Sequence, residues 1–188
     1  MSGTATLGFG NVEVLRIGLG TNRLRNTAGS LDLLRAAVAA GLGHIDTAHT
    51  YTGGDSEETI GAALSPIPDA CIVATKGGWA GGRPDALRAE IEESLRRLRT
   101  DSIPLYYLHR PDPETPIEDS LAAIKEYHEA GKTRHVGVSN VDIDQIERAR
   151  RLCRSPPCRT TTASPSAGTK TSWTTAPPKR SSSSLTSP

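Results

Sequence analysis

Four polar residues of this chain have the side-chain types that the reduction of a carbonyl group requires. They are Asp46, Tyr51, Lys76 and His109, and they lie at or just after the ends of successive strand-like segments. A tyrosine phenol keeps its proton at neutral pH, and a nearby lysine ammonium makes that proton easier to give up. The carboxylate would hold the ammonium, and a ring nitrogen of the histidine would donate to the substrate oxygen. Since no protein side chain supplies hydride, a nicotinamide cofactor is implied.

Apolar strand-like segments alternate with amphipathic helices along the first 152 residues. The predicted strands are 14–20, 44–48, 71–76, 103–109 and 133–139. From residue 44 onward they begin roughly every thirty residues, which favours right-handed βαβ units in a parallel sheet. The small residues at 3–12 would form a hairpin at the bottom of a barrel. No G-x-G-x-x-G opens a helix after the first strand, so a barrel fits better than a dinucleotide-binding Rossmann fold.

Helix starts are predicted from capping residues. Ser30 and Ser56 would cap the first two helices, and Pro84 would open the third. Two capping boxes would open the fourth and fifth helices, one from Thr115 to Glu118 and one from Asp142 to Gln145. The charged run RRLRTD (96–101) is interpreted as a solvated helix end.

Four segments together resemble the aldo-keto reductase family over roughly residues 10–152. ATKGG (74–78) and YYLHRPDP (106–113) resemble the strands that bear its lysine and histidine, and GKTRHVGVSN (131–140) resembles a segment that holds the nicotinamide carboxamide. The family signature around the aspartate and tyrosine is matched by Gly43, Asp46, Thr47, Ala48, Tyr51, Glu57, Ile60 and Gly61.

This resemblance implies an α/β fold, the (β/α)8 TIM barrel, and NADPH- or NADH-dependent reduction of small aldehydes or ketones to alcohols. It implies that Asp46, Tyr51, Lys76 and His109 form the catalytic tetrad, with Tyr51 as general acid. Ser139 and Asn140 become cofactor ligands, and Thr21, Asn22 and Asp46 would bind the cofactor at the same site. Trp79 follows Lys76 in a loop at this face, which makes it a candidate wall of the substrate pocket.

Charge and composition favour a soluble cytoplasmic protein without nucleic-acid or membrane partners. The chain has a formal charge of +1, but five of its 22 basic residues and none of its 21 acidic residues follow Leu152, so the first 152 residues carry −4. The three cysteines form no disulfide framework or metal-binding spacing, and no segment has the form of a secretion signal or membrane span. The oligomeric state stays open.

Residues 153–188 differ abruptly in composition from the preceding domain, 1–152. About two-thirds of them are Ser, Thr or Pro, and Val, Ile, Asp and Glu are missing. One interpretation is a disordered tail. A second is a coding frame read one base off, because CRSPPCRTTTAS (153–164) then gives VPVAAVQNHYSL, a string suited to the next barrel strand.

A shifted frame would leave a partial barrel of about the first five βα units, without the family's later cofactor-binding residues. We therefore expect weak or no NADPH binding and poor solubility. Two other hypotheses stay open: a non-catalytic reductase-like binding module, and a metal-dependent barrel hydrolase that uses His44, Asp46 and His109. The hydrolase lacks an evident third ligand.

Overall fold

A computed structural model describes residues 6–10, 12–152 and 160–163 of the 188-residue chain. The strands are β1 (Thr6–Phe9), β2 (Val12–Leu15), β3 (Leu19–Gly20), β4 (His44–Asp46), β5 (Ile72–Gly77), β6 (Leu105–Leu108), β7 (Val136–Ser139) and β8 (Thr160–Ala163). The helices are α1 (Ala28–Ala39), α2 (Asp55–Leu64), α3 (Pro84–Leu98), α4 (Ile117–Glu129) and α5 (Ile143–Leu152), with a 3-10 turn at Tyr51–Gly54.

Six strands form one parallel sheet in the order β3-β4-β5-β6-β7-β8, with one helix in each connection. Five consecutive βα units are therefore present, followed by a sixth strand. This confirms the predicted α/β fold and the partial (β/α)8 TIM barrel. No helix within the described ranges is both long enough and apolar enough to cross a membrane.

The sheet is covered on both faces, which explains its nearly continuous apolar strands. Alternate residues such as Ile45 and Val73 pack against the helices. The intervening residues Ile72 and Ala74 pack against the antiparallel β1-β2 hairpin. Successive side chains of a strand point to opposite faces. The face that carries Ile72 and Ala74 at the start of β5 therefore carries Lys76 near its carboxyl end.

The hairpin corrects the predicted first strand. Residues 14–20 were expected to form one strand of the parallel series, but Val12–Leu15 pairs with Thr6–Phe9, and only Leu19–Gly20 joins the parallel sheet. The expected hairpin is present, displaced along the chain from the predicted 3–12. Phe9 and Val14 place its apolar side chains against the inner face of the sheet.

Several helix starts also differ from the predicted ones. Thr27, rather than Ser30, caps α1, and its hydroxyl accepts from the Ser30 backbone N–H. Gly54 precedes α2, while Ser56 is buried and bonded to other hydroxyls. Pro116 is the cap residue of α4 and Thr115 donates to Asp112 instead, so no capping box forms there.

Two predicted helix starts are confirmed. Pro84 is the first residue of α3. Asp142 and Gln145 form the reciprocal capping box ahead of α5, with backbone-to-side-chain distances of 3.0 and 2.8 Å.

One segment of the expected disordered tail is paired in the sheet. Thr160–Ala163 forms the sixth parallel strand and pairs with Val136–Ser139. The rest of 153–188 lies outside the described residues.

Helices α2 and α3 pack so closely at Gly61 that one added methyl group should destabilise the protein. A Cβ at Gly61 would overlap the Arg97 carbonyl oxygen and lie 2.9 Å from the Leu98 carbonyl carbon. We expect Gly61→Ala to lower the free energy of unfolding by about 1–3 kcal/mol, because overpacking outweighs the better helix propensity of alanine. Urea denaturation measures this change.

The matched control is Gly29 in α1, where an added Cβ would meet no atom within 4 Å. Gly29→Ala should be neutral or stabilise by up to about 1 kcal/mol. Equal effects of the two substitutions would contradict the close packing of α2 on α3.

Candidate active site

The ammonium group of Lys76 lies at the centre of the candidate site, near the carboxyl end of β5. Its Nζ donates to Asp46 Oδ2 at 2.8 Å, to the Thr47 carbonyl at 2.7 Å and to the Tyr51 hydroxyl at 3.5 Å. A lysine ammonium has three N–H donors, so these three acceptors match its capacity. Lys76 is only 5% exposed, whereas the Asp46 side chain is 35% exposed.

Tyr51 reaches this ammonium from a 3-10 turn rather than from a strand. The turn contains three consecutive positive φ angles, at Thr52, Gly53 and Gly54. The Tyr51 amide donates to the Ala48 carbonyl at 3.0 Å, and the Thr52 hydroxyl donates to the Leu24 carbonyl at 2.8 Å. The phenol is thus directed at Lys76 by a turn with several backbone anchors.

His109 follows β6 and brings a buried ring beside Tyr51. The two ring centroids lie 6.0 Å apart, with the planes nearly perpendicular. Burial, followed by the nearby positive charge of Lys76, lowers the pKa of His109 to about 4. The imidazole is therefore neutral at physiological pH. The backbone on either side is fixed, since the His109 amide donates to Gly77 and its carbonyl accepts from Asn140.

Ser139 and Asn140 lie at the end of β7, next to His109. Ser139 is buried, and Asn140 has a φ of 56° and donates from Nδ2 to the Ser139 hydroxyl at 3.2 Å. Thr21 also reaches the site, but its hydroxyl donates to the Asp46 carbonyl and accepts from Ser56. Asn22 is exposed.

Trp79 forms a wall beside His109. The two ring centroids lie 4.7 Å apart. Trp79 is 45% exposed, so the indole remains accessible to solvent. The Arg110 guanidinium stacks on the indole at 4.6 Å and donates to the Trp79 carbonyl at 2.8 Å.

Several supporting contacts were missed by the sequence analysis. The carbonyl of Thr47 is an acceptor for Lys76, and the hydroxyls of Thr47 and Ser56 bond at 2.8 Å behind it. Arg97 was interpreted as part of a solvated helix end, but its side chain is 15% exposed and lies beside the fully buried Glu57. Among the described residues, no group of three or more His, Cys, Asp or Glu could hold a metal ion.

Comparison with known proteins shows the family to which this chain belongs. The model of the aldo/keto reductase family matches residues 16–161. The chain belongs to the aldo/keto reductase family. Aldo-keto reductase YhdN of Bacillus subtilis is 41% identical over 156 residues, covering 74% of this chain and 47% of that protein. Aflatoxin B1 aldehyde reductase member 2 of Rattus norvegicus is 36% identical over 139 residues, covering 71% and 38%.

Solved aldo-keto reductases share the fold. The thermostable aldo-keto reductase Tm1743, in complex with the inhibitor epalrestat, superposes with a TM-score of 0.73 at 33% identity, covering 83% of this chain and 60% of that one. An aldo/keto reductase of Klebsiella pneumoniae, in complex with NADP and acetate, gives 0.65 at 34% identity, covering 72% and 49%. The chain spans about half the length of the relatives it matches.

The low pKa of His109 predicts that its imidazole takes up a proton only in acidic solution. Carbon-13 histidine NMR, assigned with His109→Gln, should give a midpoint near pH 4. Because the folded pKa lies below the ordinary 6.5, this group's contribution to stability is complete above pH 6.5. It is lost as the pH falls towards 4.

Lys76→Met supplies the control for that titration. Removal of the ammonium should raise the His109 midpoint, since Lys76 is one of the causes of the low value. A wild-type midpoint at pH 6 or above would contradict the described environment of the ring.

Proposed function

We propose that this chain carries the chemistry that reduces small aldehydes or ketones to alcohols with hydride from NADPH or NADH. One observation carries the proposal: the buried Lys76 ammonium contacts both the Asp46 carboxylate and the Tyr51 phenol. A binding module has no need of a proton donor, a cation and a carboxylate in contact, whereas carbonyl reduction uses all three.

Tyr51 is the proposed general acid. As the carbonyl carbon is reduced, its oxygen gains negative charge and takes the proton from the Tyr51 hydroxyl. The Lys76 ammonium, 3.5 Å from that hydroxyl, stabilises the phenolate that is left. Asp46 and the Thr47 carbonyl hold the ammonium in place throughout this proton transfer.

His109 is proposed to orient the substrate. A neutral imidazole has one N–H, which would donate a hydrogen bond to the carbonyl oxygen. The proton that is transferred would then come from the Tyr51 hydroxyl. The edge-to-face contact between the two rings, with centroids 6.0 Å apart, supports a shared role of both residues at the substrate oxygen. Trp79 would cover the apolar part of a small carbonyl compound.

The residues at the end of β7 fit a nicotinamide. A carboxamide needs both a donor and an acceptor, and the adjacent Ser139 hydroxyl and Asn140 amide offer these groups beside His109. The bound nicotinamide supplies the hydride. The Klebsiella pneumoniae relative in complex with NADP supports this assignment. Thr21 supports the site by holding the Asp46 backbone, and Asn22 would approach the cofactor from the exposed rim.

We further propose that residues 153–188 are translated one base out of frame, with weakened cofactor binding as the result. The shifted frame replaces TTTA at 160–163 by NHYS. These are the four positions that pair as the next parallel strand, which supports the proposal. A Ser/Thr/Pro-rich sequence in place of the later barrel units would lack the family's other cofactor contacts.

The role of Tyr51 can be tested by removing one oxygen atom. Tyr51→Phe should lower kcat by roughly 10²–10⁴-fold, the usual contribution of a general acid, with an unchanged melting temperature. NADPH oxidation with 4-nitrobenzaldehyde at 340 nm measures it, in proteins whose coding frame is restored after codon 152. Tyr127→Phe is the matched control, because that phenol donates to the Arg88 carbonyl at 3.4 Å and bonds Glu92 where α4 packs on α3, away from Lys76. Equal activities of the two variants would reject Tyr51 as the acid.

The frame proposal has two direct tests. Sequencing the encoding DNA around codon 152 should show that a one-base shift restores VPVAAVQNHYSL, and a sequence that cannot encode it would reject the proposal. Fluorescence titration of the 188-residue chain should give an NADPH dissociation constant above about 100 μM, equivalent to less than about 5.5 kcal/mol of binding. Submicromolar binding would contradict the predicted impairment.

A further inference from the structure

We propose that the buried ion pair between Glu57 and Arg97 positions Tyr51 against Lys76. Both residues are positioning residues, since neither touches Lys76 nor the Tyr51 hydroxyl in any described contact. The inference rests on the proposed function of Tyr51, but its structural part can be tested without turnover.

Arg97 anchors the segment that leads into the Tyr51 turn. It lies near the end of α3, and its NH1 donates to the His49 carbonyl at 3.0 Å. The same nitrogen lies 3.3 Å from His49 Nδ1. His49 is two residues before Tyr51, and its own amide donates to the Lys76 carbonyl at 2.9 Å. The guanidinium therefore supports the chain at the point where it leaves β4 and approaches the turn.

Glu57 connects that guanidinium to the strand that carries Lys76. One carboxylate oxygen accepts from the Thr75 hydroxyl at 2.6 Å, and the other lies 3.5 Å from Arg97 NH1. Thr75 immediately precedes Lys76 and points to the opposite face of β5. The pair thus joins the back of the Lys76 strand to the chain before Tyr51, and both partners are held by further contacts.

The turn is shaped to admit this guanidinium. Gly54 ends the 3-10 turn with a φ of 104°, and a Cβ there would overlap Arg97 Cζ. A side chain at this position would therefore displace the guanidinium. Glu93, one helical turn before Arg97, lies 3.0 Å from its Nε and holds the other side of the group.

The burial of Glu57 makes the pair more than a surface contact. The Glu57 side chain is fully buried, so Arg97 and Thr75 provide the polar contacts that water gives to a surface carboxylate. The neighbouring Arg96 provides the contrast. Its side chain is 64% exposed and pairs with Glu93 and Glu58 at the surface, which is the behaviour of a solvated helix end.

Amide hydrogen exchange tests the positioning directly in the full chain. Arg97→Lys keeps a positive charge near Glu57 but loses the planar fork that also reaches His49. We expect exchange in 47–54 to accelerate at least tenfold in this variant, with α4 unchanged. The matched control, Arg96→Lys, should leave both segments at wild-type rates. Equal exchange in 47–54 for all three proteins, or equal acceleration along the whole chain, would overturn the inference.

Kinetics with NADPH and 4-nitrobenzaldehyde, measured in proteins with the coding frame restored after codon 152, separate this inference from the proposed function. Arg97→Lys should lower kcat at least tenfold with KM unchanged. In a Tyr51→Phe background it should have no further effect, because Arg97 acts through Tyr51. An equal additional loss in that background would overturn the inference. If the wild type with its coding frame restored after codon 152 reduced no aldehyde, the proposed function would fail, and the exchange rates would still decide the positioning role.

Discussion

The Lys76 ammonium is buried in the sheet, and the surrounding structure has to supply its hydrogen-bond acceptors. Removing an ion of this size from water costs several kcal/mol even after the protein relaxes. Asp46, the Thr47 carbonyl and Tyr51 replace the lost water. These acceptors come from the end of β4 and the turn that follows it, so the position of β4 beside β5 is the main constraint on the site.

The two faces of the sheet contribute differently to that constraint. On the inner face the β1-β2 hairpin packs against Ile72 and Ala74, which lie on the same face of β5 as Lys76. On the outer face, helices α2 and α3 approach so closely that Gly61 has no room for a side chain. That approach brings Glu57 and Arg97 together behind β5. The site is thereby supported by the helices on the outer face as well as by the strands that carry it.

The sequence predicted the strands from β4 to β7 well because their signal is local. Continuous apolar runs such as 71–76 are typical of strands covered on both faces, and polar residues at their ends define the site. Asp46, Tyr51, Lys76 and His109, the proposed catalytic residues, could therefore be expected at one edge of the sheet before the structure was known. The Asp142–Gln145 capping box was predictable for the same reason, since both of its partners lie within one helical turn.

The features that the sequence did not predict depend on distant parts of the chain. Arg97 looks like its neighbour Arg96 in sequence, and only the packing of α3 on α2 buries one and exposes the other. Ser56 has the residue type of a helix cap, yet contacts with Thr21 and Thr47 claim its hydroxyl. The acceptor of Thr47 is its backbone carbonyl, which every residue has, so the residue type could not reveal it. The pairing of Thr160–Ala163 with β7 likewise overrides a local composition that favours disorder.

In the proposed reaction, the Lys76 ammonium enables proton transfer from Tyr51. The most direct test is the turnover of Lys76→Met with NADPH and 4-nitrobenzaldehyde, compared with the wild type under the same conditions and with the coding frame restored in both proteins. The contacts of the ammonium predict a fall in kcat of roughly 10²–10⁴-fold with an unchanged NADPH dissociation constant. A variant that turns over within twofold of the wild type would contradict the claim.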